Sequence, residues 1–409
     1  MEGSLVANNT RDTNHMKLLV ACSSLDLQAP FSSTPAWWQL LKGLYETGVD
    51  LVVTAYHGRV PETLWWRAYP NPARMEGEAF AAIRAVGRRM HLFGSSTGTS
   101  SIQGDSFSST LTRRLAQALI APQWRRHFRR ILLAEPDVDA ILWLSMPPNH
   151  LRGVADAVRR EFRLPVLFYD GDVPASLPDH HGFATGFRIY DGADLTEFDA
   201  VLCNSEGGVK DLRALGAKAT YVLHYAADPQ VYQPICCPQD IDVLFYGHTT
   251  EYREEWLQAM IAIPSDAIPE ARFAVRGHNL GRLGRAEALP YRSFSRLRDY
   301  IARSRLNLVI TRAAHASVWG SSSMRPFELA MMGACMVCNP YLGIEQWFEP
   351  GKELVLVHSA EEAIDRYRFL LAHETERQAI GSAARKRALA EHTFHHRAEQ
   401  LVRIIKEHL

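Results

Sequence analysis

The sequence predicts an α/β protein made of two parallel-sheet halves that face one another across a cleft. Short apolar runs alternate with amphipathic helical patterns along most of the chain, as repeated βαβ units require. A proline-rich polar stretch, Asp228 to Asp240 (DPQVYQPICCPQD), divides that alternation into parts of similar size. The length of 409 residues suits two ordinary domains.

In the first half, LLVAC (Leu18 to Cys22) reads as a buried strand, Pro35 to Thr47 as a helix, and Leu51 to Tyr56 as the next strand. Gly94 to Thr110 is dominated by Ser, Gly and Thr and reads as a long flexible loop. Further strands are expected at Ala140 to Leu144, Val166 to Tyr169, Ala200 to Cys203 and Thr220 to Leu223. Helical patterns at His150 to Phe162 and Glu206 to Leu215 separate them, the latter stopped by Gly216. After the linker the alternation restarts with a strand at Asp242 to Tyr246 and a helix at Glu251 to Ile261. Strands follow at Arg272 to Val275, Leu306 to Ile310, Cys335 to Cys338 and Leu354 to Val357, with helices at Ser293 to Arg303, Arg325 to Met332 and Ala360 to Leu371. A charged helical pattern from Glu374 to His408, broken near His392, ends the sequence. In such halves ligands bind at the carboxyl ends of the strands.

Composition excludes several classes. A hydrophobic share of 47% against 22% charged residues rules out disorder as the dominant state. Lys+Arg and Asp+Glu are both 45, so the chain lacks the basic excess of a general nucleic-acid binder. Six cysteines are too sparse for a disulfide scaffold and point to a reducing cytoplasm. The CMVC spacing of Cys335 and Cys338 sits alone in an apolar run and reads as core rather than as a metal or redox motif. No apolar window is long enough for a membrane span, so a soluble cytoplasmic protein is expected.

The most informative stretch is Ser322 to Gly351 (SSMRPFELAMMGACMVCNPYLGIEQWFEPG). A serine turn leads into a helix opened by Pro326 in its first turn. A helix amino terminus offers free N–H groups and a positive dipole end, which suit a phosphate. Arg325 adds a cation in the first turn, where the dipole alone disfavours one. Glu328, about one turn on, is placed to accept both hydroxyls of a ribose; the plainer alternative is an Arg325–Glu328 surface pair worth about 0.2–0.5 kcal/mol.

These residues resemble the carboxyl-terminal domain of GT-B glycosyltransferases, nearest to the spore-maturation-protein (CgeB-like) branch related to retaining family 4. The resemblance rests on Arg325, Phe327-Glu328, Gly333, Gly343, Phe348, Gly351 and Glu353, and on the terminal HTFHHR (His392 to Arg397). It extends to the YGH turn at Tyr246 to His248, and in the first half to YDGDVP (Tyr169 to Pro174), FDAVLCNSEGG (Phe198 to Gly208) and HYAADPQVYQP (His224 to Pro234). It covers about residues 140–409, the earlier part matching only loosely.

The resemblance implies a GT-B fold of two Rossmann-like α/β domains facing across a cleft. The polar composition of residues 1–15 reads as a disordered leader, and the resemblance implies an amino-terminal acceptor-side domain over 16–234 and a nucleotide-sugar-binding domain over 235–390. A terminal helix over 391–409 would pack back on the first domain. The function implied is transfer of a sugar from a nucleoside-diphosphate-sugar donor to an unidentified acceptor, with a tilt towards retention. Glu328 would take the ribose, Arg325 and the Ser321, Ser322 and Ser323 turn would lie near the diphosphate, and Gly247, His248, Arg276 and Gly277 would face the donor. No metal and no cofactor beyond the donor is expected. One departure stands out: family 4 enzymes commonly carry a second glutamate eight residues before the ribose-binding one, and here that position is Gly320.

Catalysis of this kind needs charge stabilisation on the leaving diphosphate and a held acceptor hydroxyl. Arg325 and Arg276 are the expected catalytic cations, with Arg253 more readily a solvated arginine. An inverting course also needs a first-half base. Asp170, at a strand end, is the candidate, and Asp172 reads rather as a turn cap. The run RRHFRR (Arg125 to Arg130) reads as a solvated helix face, with an anionic acceptor or membrane surface as the alternative. Trp37-Trp38 and Trp65-Trp66 read as core, though the first pair is placed where an acceptor might stack. The clustered histidines, including His180-His181 and His395-His396, form no zinc motif. Competing readings are a GT-B nucleotide-sugar epimerase or phosphorylase, or a two-lobed small-molecule binding protein.

Overall fold

The computed structural model describes residues 16–27, 34–74, 105–180, 188–247, 253–277, 281–290 and 296–409. The expected leader, His248 and His181 lie outside the described residues. The first sheet is wholly parallel and comprises β1 (Lys17–Ser24), β2 (Asp50–His57), β3 (Arg67–Ala68), β4 (Ala140–Leu144), β5 (Val166–Asp170), β6 (Ala200–Cys203) and β7 (Thr220–Val222). Its order is β3-β2-β1-β4-β5-β6-β7. The second sheet comprises β8 (Ile241–Tyr246), β9 (Phe273–Arg276), β10 (Glu287–Ala288), β11 (Ser304–Val309), β12 (Met336–Cys338) and β13 (Val355–Leu356), also parallel. Its order, β10-β9-β8-β11-β12-β13, repeats that of the first. Both are doubly wound, so each has a point where strand order reverses and a crevice opens at the carboxyl ends. In the second sheet that point lies between β8 and β11.

The central strands β4, β5 and β6 are buried along their whole length, which explains why they read as continuous apolar runs. The two-residue strands β3 and β10 escape sequence reading because they are too short to show a period. Of the expected loop Gly94 to Thr110, residues 94–104 lie outside the described residues, and 105–110 are corrected to the first turns of a helix at Asp105–Leu119. The expected helix from Glu251 is resolved as Glu254–Leu257, a π turn at Gln258–Ala262, and a further helical turn at Ile263–Ala267.

In the helix Ala121–Ala134 the arginines 125, 126, 129 and 130 point outward, while Trp124, His127 and Phe128 face the core. His127 Nε2 lies 2.9 Å from Thr54 Oγ1 on β2. Burial, then the nearby Arg130, pushes its imidazole down to about 4. A group with a lowered folded pKa of this kind binds fewer protons folded than unfolded between pH 6.5 and 4. Its contribution is therefore lost as pH falls through that window. Between those limits, a His127→Gln variant is expected to lose up to about 3 kcal/mol less stability than the parent. Urea unfolding of both proteins across that range checks it.

The polar linker is fastened to both halves. Lys42 Nζ pairs with Asp228 at 2.6 Å, and the Tyr232 hydroxyl donates to Glu328 at 2.8 Å. After the helix Glu374–Glu391 the chain crosses back. The helix Phe394–Lys406 lies against Thr34–Glu46 of the first half. Arg397 anchors it, donating to the carbonyls of His224 at 3.0 Å and Tyr225 at 3.3 Å. Phe394, Leu401 and Ile405 join Trp37, Leu44, Leu329 and Phe348 in one apolar cluster that runs through both halves.

Candidate functional site

The carboxyl ends of the two sheets meet. Beyond β6, Asn204 Nδ2 donates to the Ser322 carbonyl at 2.7 Å, and the Ser205 and Ser321 hydroxyls lie 2.7 Å apart. Ser322 Oγ accepts from Tyr225 N–H at 2.9 Å and donates to the Asn204 carbonyl at 3.1 Å. Ser321 and Ser322 are fully buried. Their hydroxyls are thus engaged in joining the domains, whereas Ser323, at the helix N-cap, is half-buried with no capping bond from its side chain.

The helix Met324–Met331 follows that turn. Its buried face, Phe327, Glu328, Ala330 and Met331, packs into the core, which leaves Arg325 at the open end of the first turn. The Arg325 guanidinium carbon sits 4.4 Å from the centre of the Tyr246 ring and 5.2 Å from that of Phe245. No carboxylate among the described residues forms an ion pair with it, and its Nε is buried without a hydrogen-bond partner. Gly247, the first residue past β8, lies under this cation. A Cβ there would stand 2.9 Å from Phe245 Cζ and 3.0 Å from Arg325 Nη2, so only glycine permits this approach. Gly247 N–H donates to the Arg276 carbonyl at 2.9 Å, which sets the end of β9 beside it. Arg276 is buried and Gly277 follows it half-buried. Gly247, Arg276 and Arg325 are thus brought together.

Glu328 is enclosed rather than open. Tyr232 donates to one carboxylate oxygen at 2.8 Å and Tyr246 to the other at 3.1 Å, with the residue 3% exposed. Burial pushes its carboxyl above the usual range, partly offset by the two hydroxyls and Arg325. Each ionised oxygen keeps a further lone pair. The plain Arg325–Glu328 surface pair is absent from the ion pairs of the described residues.

Across the gap, Asp170 ends β5 with its carboxylate turned inward. It accepts from Ser176, from Tyr190 at 2.6 Å and from the Asp172 N–H at 2.9 Å. Burial pushes its carboxyl up against these bonds, and only 1% of the residue is exposed. Asp170 therefore shapes the turn that carries Asp172, and Asp172 reaches the second domain by pairing with Arg312.

Arg312 and His315 were not singled out by sequence. TRAAH (Thr311 to His315) directly follows the buried strand β11, and an arginine at a parallel strand's carboxyl end was the available signal. Arg312 Nη2 lies 3.2 Å from His315 Nε2. Burial, together with Arg312, Arg253 and His180, pushes the His315 imidazole well below its usual range, so it stands neutral at physiological pH. Arg253 Nε donates to the Ile310 carbonyl at 3.0 Å, so this arginine is positioned by the end of β11 rather than merely solvated. Two cationic groups thus flank the β8–β11 reversal point: Arg325 with Arg276, and Arg312 with Arg253.

Gly320 adopts φ +59°, and a Cβ there would stand 3.1 Å from Glu206 Cγ of the first domain. A side chain at this position is disfavoured by the backbone conformation and crowded by the facing Glu206. Both cysteines of the CMVC run are buried, Cys335 just before β12 and Cys338 at its end. His396 completes a capping box with Thr393, and His392 lies 3.0 Å from Arg397 Nη2. Trp37 is fully buried, edge-on to Tyr169. Among the described residues no group of three or more His, Cys, Asp or Glu is placed to hold a metal ion. No described helix is long and apolar enough to cross a membrane.

The paired doubly wound domains define the class by architecture, a GT-B fold. Residues 253–403 match the glycosyl transferase-like family. Solved structures resemble nearly the whole chain. Sucrose-phosphate synthase from Thermosynechococcus elongatus is 13% identical with a TM-score of 0.62, covering 96% of this chain and 98% of that one. Anabaena HepE in complex with UDP and glucose is 13% identical with a TM-score of 0.59, covering 96% and 100%. The trehalose-6-phosphate synthase OtsA is 13% identical with a TM-score of 0.57, covering 95% and 99%. No curated protein matches the chain.

Proposed function

We propose that the protein transfers a sugar from a nucleoside-diphosphate donor to an acceptor held by the first domain, with retention of configuration. The observation that carries this reading is Arg325: a stacked guanidinium with no carboxylate partner among the described residues, at a helix amino terminus beside a turn that only glycine can make. Backbone N–H groups and a cation converging there suit a diphosphate. The glycosyl transferase-like match over 253–403 and the binding of UDP and UDP-glucose by HepE support a nucleotide-sugar donor. The carboxyl-terminal motifs support a place near the CgeB-like branch and family 4.

In this reading the bond between the sugar's anomeric carbon and the diphosphate oxygen breaks, the acceptor oxygen bonds to that carbon, and the acceptor proton passes to the departing phosphate. Arg325 and Arg276 carry the developing charge, without a metal or further cofactor, while Arg312 stays paired with Asp172. The inward commitment of Asp170 supports retention, because it removes the first-half base that inversion would use. Glu328 takes the ribose hydroxyls on its remaining lone pairs, and Ser323, Gly277 and His248 border the donor. Six unpaired thiols, four of them buried, support a reducing compartment such as the cytoplasm.

A panel of UDP, GDP, ADP and TDP tests the donor site. One of them at about a hundred times its Kd is expected to add about 2.7 kcal/mol and raise Tm by several degrees. Glu328→Gln is the informative variant, since Glu328→Ala would also strand two buried tyrosine hydroxyls. It is expected to remove most of the nucleotide-induced shift. If all four nucleotides leave Tm unchanged, the reading fails.

A further inference from the structure

We propose that the consecutive helices Asp105–Leu119 and Ala121–Ala134 form a docking face for an anionic lipid bilayer. Leu111, Leu115 and Leu119 are 51%, 38% and 50% exposed, and Leu133 is 60% exposed. Leu111, Arg114, Leu115, Ala118 and Leu119 are all exposed at the spacing of one helical face. On the second helix the exposed residues Arg125, Arg126, Arg129, Arg130 and Leu133 follow the same rule. Single exposed leucines are ordinary, but several gathered on one face mark an interaction surface.

The charge pattern says what covers them. Residues 106–134 contain six arginines and neither Asp nor Glu, in a chain with as many acidic as basic residues overall; of the exposed ones, Arg129 pairs with Glu161 at 2.7 Å. Leucines interleaved with arginines match a surface that is apolar beneath and anionic on top, which is the interface of a bilayer containing acidic lipids. A second copy docking through the same face would set five exposed arginines against five and is disfavoured. The face is also fixed in place. Gln117 donates to the Asn149 carbonyl and Arg113 to the Asp191 carbonyl, each at 2.7 Å. Asn149 lies just past β4, so the face borders the carboxyl-end loops of the first sheet. A bilayer there would lie beside the mouth of the interdomain gap.

The test is co-sedimentation of the full chain with vesicles of phosphatidylcholine alone and of phosphatidylcholine mixed with phosphatidylglycerol. Binding is expected for the mixed vesicles and to weaken as salt is raised. Replacing both Arg125 and Arg126 by Gln is expected to weaken it on the order of thirtyfold. Replacing Leu111, Leu115 and Leu119 by Gln is expected to weaken it at least about tenfold. These residues are exposed, so an unchanged Tm shows that the variants are folded. Absence of binding to the mixed vesicles overturns the proposal, as does binding that the leucine variant leaves intact. A dimer that the leucine variant disperses, or an acidic protein captured in place of the vesicles, overturns it equally. Lipid binding is read without any nucleotide, so this result stands apart from the donor-site reading.

Discussion

Arg325→Ala is expected to lower kcat for sugar transfer about a hundredfold to a thousandfold, the range seen when one preorganised charge-stabilising donor is removed. The guanidinium is already immobilised over Tyr246 and Phe245, so it needs no reorganisation when the diphosphate departs. Its help grows as negative charge collects on the leaving oxygens, so kcat should suffer more than KM. Arg325→Lys is expected to restore little, because a lysine lacks the planar group that stacks on the rings and forks towards phosphate. The folding cost should be small, about 0.5–2 kcal/mol for the lost cation–ring contacts. Turnover of the accepted nucleotide sugar, measured beside a melting curve, separates the two effects. A fully active Arg325→Ala enzyme would remove the central element of the mechanism.

Arg312→Ala is expected to be the more damaging to stability, by about 3 kcal/mol or more. The Arg312–Asp172 pair joins the loop after β11 to the turn after β5, with side chains 15% and 12% exposed. Removing the arginine leaves a nearly buried carboxylate facing the second domain. Restoring neutrality should recover part of the loss, so Arg312→Ala combined with Asp172→Asn is expected to be more stable than Arg312→Ala alone. Denaturant unfolding of the four proteins of that cycle measures the coupling. Strictly additive losses would mean that the pair contributes nothing across the gap.

The site was only partly legible in sequence. Arg325 stands out because a cation in a helix's first turn is unfavourable without an anion, whereas Gly247 is marked only by the resemblance of the YGH turn. For Arg312 the only local signal is its place past a strand's carboxyl end, which many arginines share; its importance arises from Asp172, 140 residues away along the chain. Asp170 and Asp172 show the same limit. Both end the same strand, and only the bonds from Ser176 and Tyr190 decide that the first turns inward and the second meets the other domain.

Sequence alone determined the two α/β halves, their parallel strands and the linker between them, because burial on both faces writes continuous apolar runs and crossovers write helical ones. Strand order, the enclosure of Glu328 by Tyr232 and Tyr246, and the use of Ser322 as a bridge to Asn204 and Tyr225 were decided only by tertiary structure. These are contacts between residues far apart in the chain. A side chain's own periodicity reports whether it is buried, but not which distant partner it is buried against.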